Sequence, residues 1–214
     1  MTSGAIILFQ ILILVFSVIV HEISHGFIAL RFGDSTAKDL GRLTLNPLKH
    51  LDLFGSILLP LMLALLHAPV IGWAKPVPYD PRNLKNPKKE SGLIALAGPL
   101  SNLLVAAVFG IIVRSMVLFG PLSATSQIML VLFNVVILLN IALALFNLIP
   151  IPPLDGSGIL FSLLPQSFRG VELFMRQYGF FILLFIIFYG LPGLEPLLFK
   201  LHALFAGSGS ALGL

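Results

Sequence analysis

Residues 21 to 25 read His-Glu-Ile-Ser-His, a spacing that suits metal coordination. On a helix, His21 and His25 lie one turn apart on one face and can both ligate one Zn2+. Glu22, on the adjacent face, can then reach a metal-bound water as a general base. With five His and four Glu in 214 residues, roughly 0.002 such matches are expected by chance. The motif lies inside an apolar run from Ala5 to Leu30 that is long enough to cross a bilayer. Ionisable groups at that depth are costly and mark functional sites. A buried Glu22 would protonate if it stood alone, whereas beside a divalent cation it can stay ionised.

A catalytic zinc takes three protein ligands and leaves one position open, so two histidines need a third donor. The chain has no cysteine, which leaves a histidine or a carboxylate. Asp155 is the best candidate. It follows a helix end punctuated by Pro150, Pro152 and Pro153, and irregular backbone at membrane depth is tolerated only against protein or a watered cavity. Its alternative role is an ordinary helix cap. His50 and His67 have no helical partner histidine and read as interfacial or packing residues. Asn102, Asn140 and Asn147 are polar positions on apolar spans. Asn140 and Asn147 share a helix face, and these amides either look at the site or join helices by hydrogen bonds.

The elements that must position these groups are helices in lipid. The composition is 57% hydrophobic and 10% charged with a mean hydropathy of +1.03, far from soluble averages. We expect an all-α polytopic membrane protein forming a single domain over residues 1–214. Its three-helix catalytic core is joined by a re-entrant or extra apolar segment and a C-terminal helix. The first helix runs through the motif to Arg31 and is ended by Gly33. Without a basic n-region, this run is not expected to be a cleavable signal peptide. Residues 36–46 suggest a short β-hairpin, since GRLTLN (41–46) alternates in strand fashion and offers an edge for an extended chain. Leu53 to Trp73 is apolar but interrupted by Gly55, Pro60, Pro69 and Gly72, and a proline-rich basic connector follows at 74–91. Spans are expected at 92–119 and 127–148, then a helix over 156–178 surfacing at Arg169 and Arg176. Gly179 to Leu191 is apolar but short for a span.

The net charge of +4 does not imply nucleic-acid binding, because the basic residues fall in the gaps between apolar runs, where lipid headgroups and the positive-inside rule account for them. If residues 53–73 cross the membrane, Lys and Arg divide seven to five between the sides; if the segment dips in and returns, they divide eleven to one. His21 and His25 lie in the C-terminal half of their span and Asp155 just past the C-terminal end of its own, so those spans must run parallel for the groups to meet. Both arguments favour re-entry, an outside N-terminus and a site towards the cytoplasm. Arg114 lies near the outer end of its span and can snorkel.

Three blocks, HEISH (21–25), AGPLSN (97–102) and NLIPIPPLDG (147–156), together resemble the site-2 protease family of intramembrane zinc metalloproteases, over residues of about 5–165. The AKPVP segment (74–78) also resembles a loop of its short members, and the chain shows no PDZ or CBS module. The resemblance implies that His21, His25 and Asp155 hold one Zn2+, that Glu22 activates water, and that Asn147 supports the site or contacts substrate backbone. It further implies a transmembrane protein substrate, such as a membrane-tethered regulator, and a multi-pass location in a prokaryotic plasma membrane. A zinc-binding scaffold without catalysis is the alternative, and Glu22 argues against it because metal binding alone does not need that carboxylate. A metal-ion transporter is weaker still, since no ladder of polar residues gives an ion a path.

Overall fold

The computed structural model describes residues 3–66, 72–119, 123–189 and 194–207. Its helices are α1 (Ser3–Arg31), α2 (Thr36–Asp39), α3 (Leu59–Leu65), α4 (Pro87–Phe119), α5 (Ala124–Asn147), α6 (Asp155–Leu163), α7 (Arg169–Tyr189) and α8 (Leu194–Ala206). The protein is an all-α polytopic membrane protein, and four stretches are long and apolar enough to cross a bilayer: Gly4–Arg31, Pro87–Phe119, Ala124–Asn147 and Gln166–Ile187.

Helix α1 stops where the sequence says it should. Gly33 takes φ +104°, its N–H reaches Leu30 O at 3.1 Å, and the Asp34 N–H reaches Ala29 O at 3.0 Å, which closes the last turn as a glycine C-cap. Helix α4 begins at Pro87, where a missing N–H costs nothing. Asn86 ahead of it exchanges hydrogen bonds with the first turn, through Lys89 N and the Glu90 carboxylate. Helices α1, α4 and α5 pack together as the core, and α8 folds back on the face of α4 and α5 around Ala106, Val113, Ile137, Ile141 and Ala206. Close approach of α8 requires Gly110, where a Cβ would come within 2.7 Å of Phe205 O. Arg114 does more than snorkel. It donates through Nε to Phe205 O at 2.9 Å and through Nη2 to Leu204 O, satisfying carbonyls at the end of α8.

The segment after residue 52 turns back. Residues 53–58 form a wide π-helical turn that leads into α3, so the helical stretch 53–65 is about 20 Å long, short of a span. Its base is tied to the returning chain: Trp73 N–H donates to Gly55 O at 3.1 Å, Ser56 Oγ donates to Trp73 O at 2.7 Å, and Lys75 N–H donates to His50 O at 2.8 Å. The Trp73 indole lies on Gly55, where a Cβ would meet the ring at 2.3 Å. A segment whose two ends are hydrogen-bonded together cannot finish on opposite sides of a membrane.

Two expectations fail. The hairpin over 36–46 is replaced by α2 and a bend, and no strand occurs among the described residues. Residues 35–39 close a helical turn through Asp39 N–H to Ser35 O, Gly41 takes φ +61°, and Arg42 turns inwards instead of pairing along an edge. Thr44 O already accepts from His50 Nε2 at 2.8 Å, so GRLTLN offers no regular edge. The helix expected over 156–178 is broken. Leu164 adopts extended backbone ahead of Pro165, as a residue before proline prefers, and a new helix, α7, runs from Arg169 through most of the stretch that looked too short for a span. His67 lies outside the described residues.

With no native cysteine to confuse labelling, single-cysteine variants at Lys49 and Lys75 should both react with an impermeant maleimide from the same side of sealed vesicles, and a variant at Ser123 from the other. Labelling of positions 49 and 75 from opposite sides would refute the re-entrant hairpin.

Candidate metal centre

The C-terminal part of α1 carries His21, Glu22 and His25, and the turn after α5 delivers Asp155 as the first residue of α6. His21 Nε2 lies 2.9 Å and His25 Nε2 lies 3.4 Å from Asp155 Oδ2. The imidazoles meet edge to face, with centroids 4.8 Å apart. Both rings are buried, and one donor atom from each of the three residues lies within 4.8 Å of the others.

The other ring nitrogens fix the tautomers. His25 Nδ1 is 2.7 Å from Ile94 O, which can only accept, so Nδ1 carries the proton. His21 Nδ1 is 2.7 Å from Asn102 Oδ1, and that amide cannot be flipped without loss: its Nδ2 donates to Asn140 Oδ1 at 2.9 Å and to Ser17 O at 3.3 Å. Asn140 Nδ2 in turn donates to Ser17 Oγ and to Val136 O, both at 2.9 Å. In the neutral rings the Nε2 lone pair of each histidine faces a carboxylate oxygen, an arrangement that is repulsive unless a metal ion or an added proton stands between them.

The residues fit a metal ion. Asp155 Oδ2 is buried and, among the described residues, accepts no hydrogen bond when the two rings are neutral. Gly98 of α4 faces the same point, and a Cβ there would come within 2.5 Å of Nε2 of both histidines. Two neutral imidazoles and one carboxylate form a donor set suited to Zn2+, with outer hydrogen bonds that orient the ligands.

Glu22, on the adjacent face of α1, is held by backbone. Its Oε2 accepts the Val77 N–H at 2.8 Å, so the extended chain after Trp73 lies as a strap over the motif. Arg42 anchors the strap, its Nη2 donating to Lys75 O at 2.8 Å and Pro76 O at 3.3 Å. Gly26 of α1 lets the strap approach, since a Cβ there would meet Leu43 and Val77 at 2.5 and 2.8 Å. The far end of the strap is fastened by Asp34, fully enclosed at the end of α1. Asp34 accepts from Thr36 Oγ1 at 2.5 Å, Asn83 Nδ2 at 2.7 Å and Asp80 N at 3.0 Å. Burial alone would push this carboxyl up, but the hydrogen bonds outweigh it and hold the group below its ordinary value of 3.8. Asp80, bonded by Arg82, is pushed down to about 2.

The structure brings His21, His25 and Asp155 together, and Glu22 is the chain neighbour of His21 on α1. Asn147 is placed differently from the ligands, with its Nδ2 donating to Leu143 O one turn back in α5. His50 is buried against Thr44 O, as a packing residue. The Val77 amide, Ser17 and Asp34 escaped the sequence reading. Asn102 and Asn140 were found without their partners. The available signal was the four-residue step from Gly98 to Asn102, which matches the step from Ser17 to His21 on the facing helix.

The description "Peptidase family M50" belongs to a family model that matches residues 9–127 and 116–189 of this chain. The chain belongs to this family. Two similar proteins bear the names "Putative zinc metalloprotease YwhC", from Bacillus subtilis, and "Putative zinc metalloprotease Rip2", from Mycolicibacterium smegmatis. The first is 40% identical over 194 residues, 89% of this chain and 85% of the relative. The second is 32% identical over 188 residues, 86% of this chain and 68% of the relative. No solved structure matches. Membership places the chain among the metalloproteases.

In this M50 member, Asn102→Ala should weaken zinc binding by about 10–100-fold while leaving the purified protein helical, as measured by chelator competition. Asp34→Ala should destabilise the protein in detergent by about 1–3 kcal/mol at pH 7. Because the folded pKa of Asp34 lies below its unfolded value, this stabilisation is complete above the ordinary carboxylate range and is lost as pH falls through the lowered value. The gap in thermal stability between wild type and Asp34→Ala should therefore persist to pH 5 and close only below pH 3.8.

Proposed function

We propose that the chain is an intramembrane zinc protease that hydrolyses a peptide bond in the transmembrane segment of a membrane-protein substrate. The observation that carries this reading is the convergence of His21, His25 and Asp155, with Glu22 beside them, inside a bundle of apolar helices. His21, His25 and Asp155 would hold Zn2+, which supplies Lewis acidity to polarise a scissile carbonyl and acidify water near neutral pH.

The chain's own groups do the rest. Asn102 and Ile94 keep the two imidazoles in the tautomer that leaves Nε2 free to ligate. Glu22, turned by the Val77 N–H, accepts the proton of the attacking water and passes it to the leaving amine. The water oxygen joins the carbonyl carbon, the C–N bond breaks, and the amine leaves with the transferred proton. Asn147, at the end of α5, supports the site or contacts the substrate backbone.

The eleven-to-one division of basic residues supports a site near the cytoplasmic side, and the family supports a prokaryotic plasma membrane as its location. The polar connectors 32–52 and 72–86 give water a route to it. Membrane-tethered regulators are the substrate class that the family suggests.

The test compares wild type with Glu22→Gln in cells and in purified membranes, with zinc content measured for both. Equal zinc, loss of cleavage by at least about 100-fold, and membrane proteins that accumulate uncut in the variant are expected. Equal cleavage by both proteins removes Glu22 as the base. Equal zinc with no cleavage by either supports a metal-binding scaffold instead.

A further inference from the structure

A cavity of about 520 Å3, lined by none of the metal ligands, opens where the start of α4, α6 and the start of α7 converge. That volume falls within the range of about 300–1,000 Å3 typical of sites that hold a small ligand. Its buried lining includes Ser157 and Phe161 of α6, and its exposed lining includes Lys88, Arg169 and Arg176.

The charge of this cavity is not balanced from within. Glu172, the one acid in the lining, pairs with Arg176 through contacts of 2.9 and 2.8 Å, and the Arg176 guanidinium also lies 4.9 Å over the Phe161 ring. Lys88 Nζ meets only the neutral carbonyl of Leu164. Among the described residues no carboxylate pairs with Arg169 or Lys88, so two positive charges remain at the opening.

The membrane level is fixed by the helices. Lys88 stands one turn ahead of Gly92, where α4 becomes apolar, and Arg169 opens α7, the next span to start on this side. The Lys88 to Leu164 hydrogen bond links the start of α4 to the end of α6. Both cations therefore stand at span starts on one side, the level at which a bilayer presents its phosphates, and Phe168 and Val171, next to Arg169 in the chain, are exposed apolar side chains. Basic pockets between spans at this depth bind anionic headgroups, and an arginine fork with a lysine point charge suits phosphate oxygens.

We propose that this cavity binds the phosphate of an anionic phospholipid headgroup from the leaflet at which α4 and α7 begin. A lipid already lies at this depth, whereas an acidic peptide would have to leave water to reach it. The binding does not depend on cleavage, so it can be tested whether or not the protease reading holds.

The test uses the full chain in nanodiscs of phosphatidylcholine containing a minor fraction of phosphatidylglycerol, with retained lipid counted by native mass spectrometry. Wild type should retain phosphatidylglycerol selectively, and Lys88→Gln with Arg169→Gln should bind it about 30-fold more weakly. Lys38→Gln with Lys49→Gln removes the same charge from exposed positions outside the cavity and should behave as wild type. Equal retention by the Lys88/Arg169 variant, or equal loss in the Lys38/Lys49 variant, overturns the proposal. Displacement of the lipid by millimolar inorganic phosphate reassigns the site to a soluble phosphate, and capture of a Glu-rich peptide without lipid enrichment reassigns it to a protein segment. Either result refutes the lipid.

Discussion

Two imidazole lone pairs and a carboxylate converging in an apolar bundle set the terms for the rest of this molecule. The arrangement is unfavourable by itself and becomes favourable with a cation, so the fold must hold it in place whatever its occupancy. It does so with groups that cannot move independently: Asn102 is bonded to Asn140 and Ser17, and Ile94 O belongs to the backbone of α4. Each such bond joins two of the three core helices. The outer hydrogen bonds of the site are thus also the interhelical bonds of the bundle, and Gly98 keeps the point of convergence free of side-chain atoms.

Beside the ligands, the site is closed by backbone. The strap that presents the Val77 amide to Glu22 is fastened by a guanidinium at one end and a buried carboxylate at the other, and the re-entrant hairpin delivers it to that position. Proline suits such a segment. Pro76 and Pro78 stiffen an extended run whose useful donor is the single N–H between them.

The legible part of the sequence was the part with short-range signals. HEISH and LDG carry their chemistry in side-chain type and spacing, and Gly33 announces the end of α1. The charge division favoured a return of residues 53–73 without deciding it, because Lys and Arg record membrane sidedness however the chain folds between them. Long-range pairing stayed hidden. Nothing local shows that the Val77 amide meets Glu22, because every residue but proline has such a donor. Alternation at GRLTLN suggested an edge strand, but it reflects Leu43 packing on Gly26 and Arg42 reaching carbonyls, and no ladder forms. Pro165 was the visible sign of a helix break that the apolar count obscured.

The chain of amides linking α1, α4 and α5 also has a consequence for biogenesis. His21 and Glu22 emerge from the ribosome about 130 residues before Asp155 does. At roughly 5–20 residues per second, some 10 s pass with α1 synthesised and its polar face unmatched. Until α4 and then α5 are made, Ser17, His21 and His25 face lipid, water or the insertion machinery without the partners that later enclose them. Completion of α5 is therefore the event at which the first helix gains its final surroundings, and any factor that guards this face must leave before α4 and α5 close on it.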